Sequence, residues 1–198
     1  MKKVLLATMA LALVATLVGL GVHAQFSDTE LTLNKFRAGT LDLTVNDKNG
    51  ETVVFEYNNL KPGNQPHPIY TLKNIGSIPG YLDLENIVVT SNENNLTEPE
   101  IEAGDTSADT GELDDVLNLR MFLDYDHNGW ISPGDKIIFN GKVKDLASSY
   151  DLDELLEAGG GTDFIVEIYD WWNTSMDNQA QDDSLEISIT FELLQNAD

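Results

Sequence analysis

The sequence predicts an all-β protein: an antiparallel β-sandwich with one short helix and an acidic loop insertion, preceded by an export leader. Three observations carry that reading. Beyond the leader the dominant hydrophobic period is two, as in a strand with one face in a core and one in solvent. Gly, Pro and Asn turns interrupt these stretches at short intervals, which suits sandwiches and disfavours helical bundles and doubly wound sheets. The 198 residues include no cysteine, so an exported fold must be held by its core, by metal or by neighbouring subunits.

The leader is Met1-Lys2-Lys3, then the apolar run Val4–Leu20, then Val22-His23-Ala24 with small residues where a signal peptidase cuts. A membrane anchor of nearly this length would carry a basic stop-transfer cluster, whereas Gln25–Glu30 is polar and acidic. Residues 1–24 therefore read as a cleaved signal peptide. Residues 25–36 read as a free N-terminal strand, and 37–198 as one domain. The expected location is outside the cell or on its surface, with no membrane association after cleavage.

Strand-like stretches follow in order. Leu41, Leu43 and Val45 alternate with Thr40, Asp42 and Thr44, and Asp47-Lys48-Asn49-Gly50 reads as a hairpin turn into Thr52–Tyr57. After the turn Leu60-Lys61-Pro62-Gly63 come Ile69–Lys73, the break Gly76–Gly80, and Tyr81–Thr90. Ser91–Asp115 holds many acids, no base and little apolar content, and is expected to be a mobile surface insertion. Leu117–Asp124, Lys136–Val143 and Thr162–Trp171 resume the strand pattern. Between them Asp151 and Glu154 form a capping-box pattern ahead of a Leu152, Leu155, Leu156 stripe that ends at Gly159, the one helix expected. The last strand is the clearest. Leu185, Ile187, Ile189, Phe191 and Leu193 share one face, and Glu186, Ser188, Thr190 and Glu192 the other.

With 34 acidic residues against 11 basic ones and a formal charge of -23, the surface repels nucleic acid and anionic lipid. Leader removal takes away Lys2 and Lys3 and no acid, so the mature chain is more negative still. Copies of such a chain repel one another. Divalent cations relieve that repulsion best, since each neutralises and bridges two carboxylates, so lateral association is expected to depend on them.

Residues 124–135 fit the spacing of a calcium loop. Asp124, Asp126 and Asn128 occupy the first, third and fifth positions, and Gly129 the sharp turn. Trp130 offers a backbone carbonyl, Ser132 a direct or water-mediated contact, and Asp135 the twelfth position. Glutamate is usual there. The shorter aspartate implies five to six protein oxygens and weaker binding, still adequate for extracellular calcium sites that work at roughly 10⁻⁴–10⁻³ M. Bound Ca²⁺ would fix the connection between two strands. The acids Asp177, Asp182 and Asp183 lack such spacing and read as solvated.

Signals for catalysis are weak. Of the three histidines, His23 lies in the leader, His67 between prolines and His127 inside the acidic loop. There is no HExxH, no G-x-S-x-G and no phosphate loop. Trp171-Trp172 could form a sugar platform or a strand end. Asn95-Leu96-Thr97 and Asn173-Thr174-Ser175 are glycosylation sequons.

Several segments resemble the TasA/camelysin family of secreted matrix-fibre proteins, which includes archaeal bundling pilins. They are Phe26-Ser27-Asp28-Thr29-Glu30, Phe36–Leu43, Leu60-Lys61-Pro62-Gly63, Leu72–Leu82 and Asp182-Asp183-Ser184. The family commonly has glycine where Asp182 stands. The resemblance implies a jelly-roll subunit of extracellular filaments or pili in a biofilm matrix, a homopolymer joined head-to-tail by donor-strand exchange. It also carries the metallopeptidase label of camelysin. A monomeric surface-binding module is a further alternative.

A donated strand fits the residues, with one awkwardness. Leu31 and Leu33 share a face while Phe26 and Phe36 have the opposite parity, so a bulge or bend near Asp28-Thr29 or Asn34-Lys35 is required. Sequence does not distinguish insertion into a neighbour from folding back into the same molecule.

Overall fold

The computed structural model describes residues 38–49, 52–57, 60, 65–169 and 178–196. The expected signal peptide, the strand segment with Phe26, Leu31, Leu33 and Phe36, the Trp171-Trp172 pair and the Asn173 sequon lie outside them.

Among the described residues, the alternation becomes ten strands in two antiparallel sheets. In chain order they are β1 (Leu43–Val45), β2 (Lys48–Asn49), β3 (Thr52–Tyr57), β4 (Ile69–Asn74) and β5 (Gly80–Asn92), then β6 (Asn118–Asp124), β7 (Lys136–Lys142), β8 (Tyr150–Leu156), β9 (Gly161–Tyr169) and β10 (Ser184–Leu194). One sheet has the order β2-β1-β4-β9-β6-β7 and the other β3-β10-β5-β8. From β3 to β6, and again from β7 to β10, consecutive strands change sheets, so the chain wraps the core as a jelly-roll-like sandwich.

The inward faces make that core. Leu185, Ile187, Ile189 and Phe191 of β10 meet Leu119, Met121 and Leu123 of β6 and Phe164, Val166 and Ile168 of β9. Two edge-to-face pairs lock the sheets together: Phe164 with Phe191, and Phe55 with Tyr70, each with ring centres 5.0 Å apart. No disulfide is needed where a continuous apolar layer excludes water in this way.

Three expectations are corrected. The first hairpin turns at Asn46 and Asp47, both with positive φ, so that only Asp47 of the expected stretch Asp47–Gly50 lies in the turn and Lys48 and Asn49 already belong to β2. Consecutive left-handed residues match the twist of a two-residue hairpin, and asparagine and aspartate tolerate them. Asn46 Oδ1 then accepts the Thr71 N–H at 2.9 Å, tying the turn to β4.

The helix expected from Asp151 to Gly159 is the strand β8. Leu152 and Leu156 are buried and Leu155 is 43% exposed, the faces of a strand and not of a helix. Asp151 Oδ1 accepts the Asp153 N–H at 3.2 Å instead of capping a helix. Asp153 has φ 47°, and the register against β5 shifts nearby, which marks a bulge in β8; Leu152 and Leu156, four residues apart, share the inward face. The place beside β5 offers ladder bonds and burial that a short helix could not match.

The acidic insertion is folded. It carries α1 (Glu98–Ala103), with Pro99 at its start and Gly104 left-handed at its end, and α2 (Leu113–Val116). Leu113 joins the core, and Glu100, Asp105 and Gly111 are buried.

Candidate functional site

Residues 124–135 connect β6 to β7, whose last paired residues are Leu123 and Lys136. The loop is thus closed at its base by a ladder, which holds its two ends together. Gly129 takes the sharp turn with φ 81°, and His127 is left-handed at 55°.

The fold brings Asp124, Asp126 and Asp135 together, each placing a carboxylate oxygen within 4.8 Å of the others. Asp124 is 0% exposed. Its Oδ2 accepts the Gly129 N–H at 2.7 Å, and its Oδ1 is buried with no hydrogen-bond partner. A buried, unpartnered carboxylate oxygen is costly unless a cation or donor meets it. Asp135 Oδ1 accepts from Tyr125 N at 3.1 Å and Oδ2 from Ser132 N at 2.7 Å, which fixes its carboxylate across the loop.

The other expected ligands are engaged more locally. Ser132 Oγ donates to Asp126 Oδ2 at 3.2 Å, so it stands at the cluster. Asn128 Oδ1 accepts the Trp130 N–H at 2.7 Å, while its amide donates to Asp126 Oδ2 at 2.8 Å. The Trp130 ring is 57% exposed and lies 4.6 Å from the His67 ring. Desolvation, the largest influence on Asp126, pushes its carboxyl up, but hydrogen bonds from the Asn128 backbone and amide and from the Ser132 hydroxyl help to outweigh it and hold the carboxyl below the usual range.

His127 Nδ1 bonds Asp163 Oδ2 on β9 at 2.8 Å, and that bond raises its pKa. His67 Nδ1 contacts the Gln65 carbonyl at 3.2 Å. Among the described residues, neither of the two clusters of converging carboxylates contains a histidine.

A second feature lies at the other end of β10. Strand β5 pairs with β10 as far as Leu194, whereas β3 pairs with it only from Leu185 to Thr190. Among the described residues, Phe191–Leu194 therefore have no strand on their β3 side. A groove of about 460 Å³ lies along this part of β10, lined by Leu41, Leu43, Glu85, Asn86, Phe191 and Leu193 among others.

Sequence reasoning missed a second carboxylate cluster, Glu93, Glu112 and Asp183. Asp183 was expected in solvent, yet it is 4% exposed and converges with Glu93 and Glu112. Its only signal was adjacency to the start of the clearest strand.

Fold and loop together define an all-β sandwich with a carboxylate-lined hairpin loop. A family model described as camelysin metallo-endopeptidase matches residues 1–198, and the chain belongs to that family. No curated protein matches the chain. The family is one of extracellular or surface proteins, and its name points toward peptidase chemistry. Among the described residues no helix is long and apolar enough to cross a membrane.

Proposed function

We propose that the chain is a secreted, non-enzymatic structural subunit that polymerises head-to-tail into extracellular filaments. Residues 25–36 of one copy occupy the strand position beside Phe191–Leu194 of the next, and Ca²⁺ stiffens the 124–135 loop. The observation that carries this reading is the mismatch between an eleven-residue β10 and the six residues of it that β3 covers. A strand edge left uncovered among the described residues is what a donated strand requires.

The magnitudes favour it once a ladder forms. Burying Phe26, Leu31, Leu33 and Phe36 contributes about 1.5–3 kcal/mol each. Ladder hydrogen bonds add roughly 0.5–1.5 kcal/mol apiece, against an association cost of roughly 4–15 kcal/mol. Apolar contacts alone leave assembly marginal, and the backbone bonds decide it.

Support for a non-enzymatic role is chemical. The carboxylates of the loop and Ser132 suit a hard cation such as calcium, whereas a hydrolytic zinc site normally draws on histidine. In the loop Asp124, Asp126 and Asp135 would hold the ion.

The test is electron microscopy of the chain beginning at Gln25 beside a chain lacking 25–36. Filaments from the first and none from the second are expected. Filaments from both would refute strand donation, and proteolysis of casein lost in Asp124→Ala and His127→Ala and restored by zinc would refute the non-enzymatic reading.

A further inference from the structure

The acidic insertion raises a physical question. Residues 91–115 contain no lysine or arginine, yet they fold against the ends of β5 and β10 and bury acids in doing so. Glu93 follows β5, Glu100 lies on α1, Asp105 follows α1, Glu112 precedes α2, and Asp183 precedes β10. Glu93, Glu112 and Asp183 each place a carboxylate oxygen within 4.8 Å of the others. Glu100 and Asp105 are near enough for their charges to act on Glu93 and Glu112.

Each carboxylate keeps at least one buried oxygen that no N–H or hydroxyl of the protein meets: both oxygens of Glu93, Glu100 Oε1, Asp105 Oδ2, Glu112 Oε2 and Asp183 Oδ1, with Glu93 and Asp183 lying carboxyl to carboxyl. Glu100 is 0% exposed. The remaining oxygens hold the frame in place. Asp183 Oδ2 accepts the Glu112 N–H at 2.7 Å, Glu100 Oε2 accepts the Thr97 N–H at 2.5 Å, and Asp105 Oδ1 accepts the Ser107 N–H at 2.7 Å. Each of these bonds leaves the partner oxygen of the same carboxylate without a donor. Gly111 is pressed into the same place, where a Cβ would stand 2.8 Å from Asp183 Oδ2 and from the Asn92 carbonyl. Lys142 and Lys144, the bases nearest in the hydrogen-bond network, both go to Asp115.

We infer that Glu93, Glu112 and Asp183, walled by Glu100 and Asp105, form a second divalent-cation site whose ligand is Ca²⁺. Hard cations of this size take six to eight oxygens from mono- and bidentate carboxylates, and dense like charge in a buried place is costly unless a cation or bound protons neutralise it. The ion joins β5, the insertion and β10 through one point. That joint gives a segment poor in apolar residues its ordered structure. This site shares no residue with the 124–135 loop, so the two stand or fall separately.

Isothermal titration of the chelator-stripped chain with calcium chloride tests it. Two equivalents are expected, with Glu112→Gln and Asp183→Asn each losing one and Asp124→Asn losing the other. Glu112→Gln should also raise the melting temperature in chelator, because it removes repulsion, and shrink the rise that calcium produces. Glu93→Gln serves if Asp183→Asn fails to fold, since its side chain makes no hydrogen bond to protein donors. Glu112→Gln and Glu93→Gln variants that bind as many equivalents as the parent would overturn the site. So would a parent that binds no ion, or a single one that Asp124→Asn abolishes. If Asp124→Asn alone loses nothing while Glu112→Gln loses an equivalent, this site stands and the calcium loop falls.

Discussion

Gly129 donates its backbone N–H to Asp124 Oδ2 at 2.7 Å and leaves Asp124 Oδ1 buried without a donor. The loop thus spends one oxygen on its own turn and presents the other to its interior. Calcium should therefore raise the melting temperature of the parent chain, and Asp124→Asn should remove the part of that rise due to this loop. Terbium offers a separate readout. Trp130 sits in the loop, so its excitation should sensitise terbium emission, and Asp124→Asn should abolish the signal.

Gly129 itself has φ 81°, and a Cβ there would stand 3.5 Å from Ile69 Cδ1, an ordinary contact. Space is adequate, so the penalty for Gly129→Ala is conformational, about 1–2 kcal/mol. Chemical denaturation should find that loss, with calcium affinity lowered as well because the turn positions Asp124.

How much of this was legible in the sequence depends on range. Leu185 to Leu193 announced β10 because alternation is local, and the calcium-loop spacing placed Asp124, Asp126 and Asp135 together because a hairpin closes it. Leu152, Leu155 and Leu156 misled because a helix and a strand both place residues four apart, here Leu152 and Leu156, on one face. Only the vacant place beside β5 decides between them. Glu93, Glu112 and Asp183 converge from three parts of the chain, so no spacing rule could reveal them. The mismatch between β3 and β10 is a property of pairing and was invisible for the same reason.

Metal-free protein should respond to pH in a definite direction. Burial, followed by acidic neighbours, pushes Glu93 and Glu112 up to about 7 from an ordinary value of 4.5. The folded form therefore holds these protons more tightly than the unfolded chain. Their contribution is fully present below about pH 4.5 and is lost as pH rises through about 7. In chelator, the melting temperature should fall across that window, and it should fall less in Glu112→Gln. Saturating calcium should remove the decline, since metal binding favours the deprotonated carboxylates.

Filaments carrying this much negative charge should associate laterally only when divalent ions bridge them. Light scattering of preformed filaments is expected to rise with millimolar calcium and return to its starting value with chelator. Scattering that ignores both additions would contradict the bridging account.

Strand donation is tested most directly by competition. Static light scattering of the chain beginning at Gln25 should report polymers, and a synthetic peptide of residues 25–36 should shorten them in proportion to its concentration by filling the place beside Phe191–Leu194. A chain that stays monomeric at every concentration, or polymers whose mass the peptide leaves unchanged, would contradict the account.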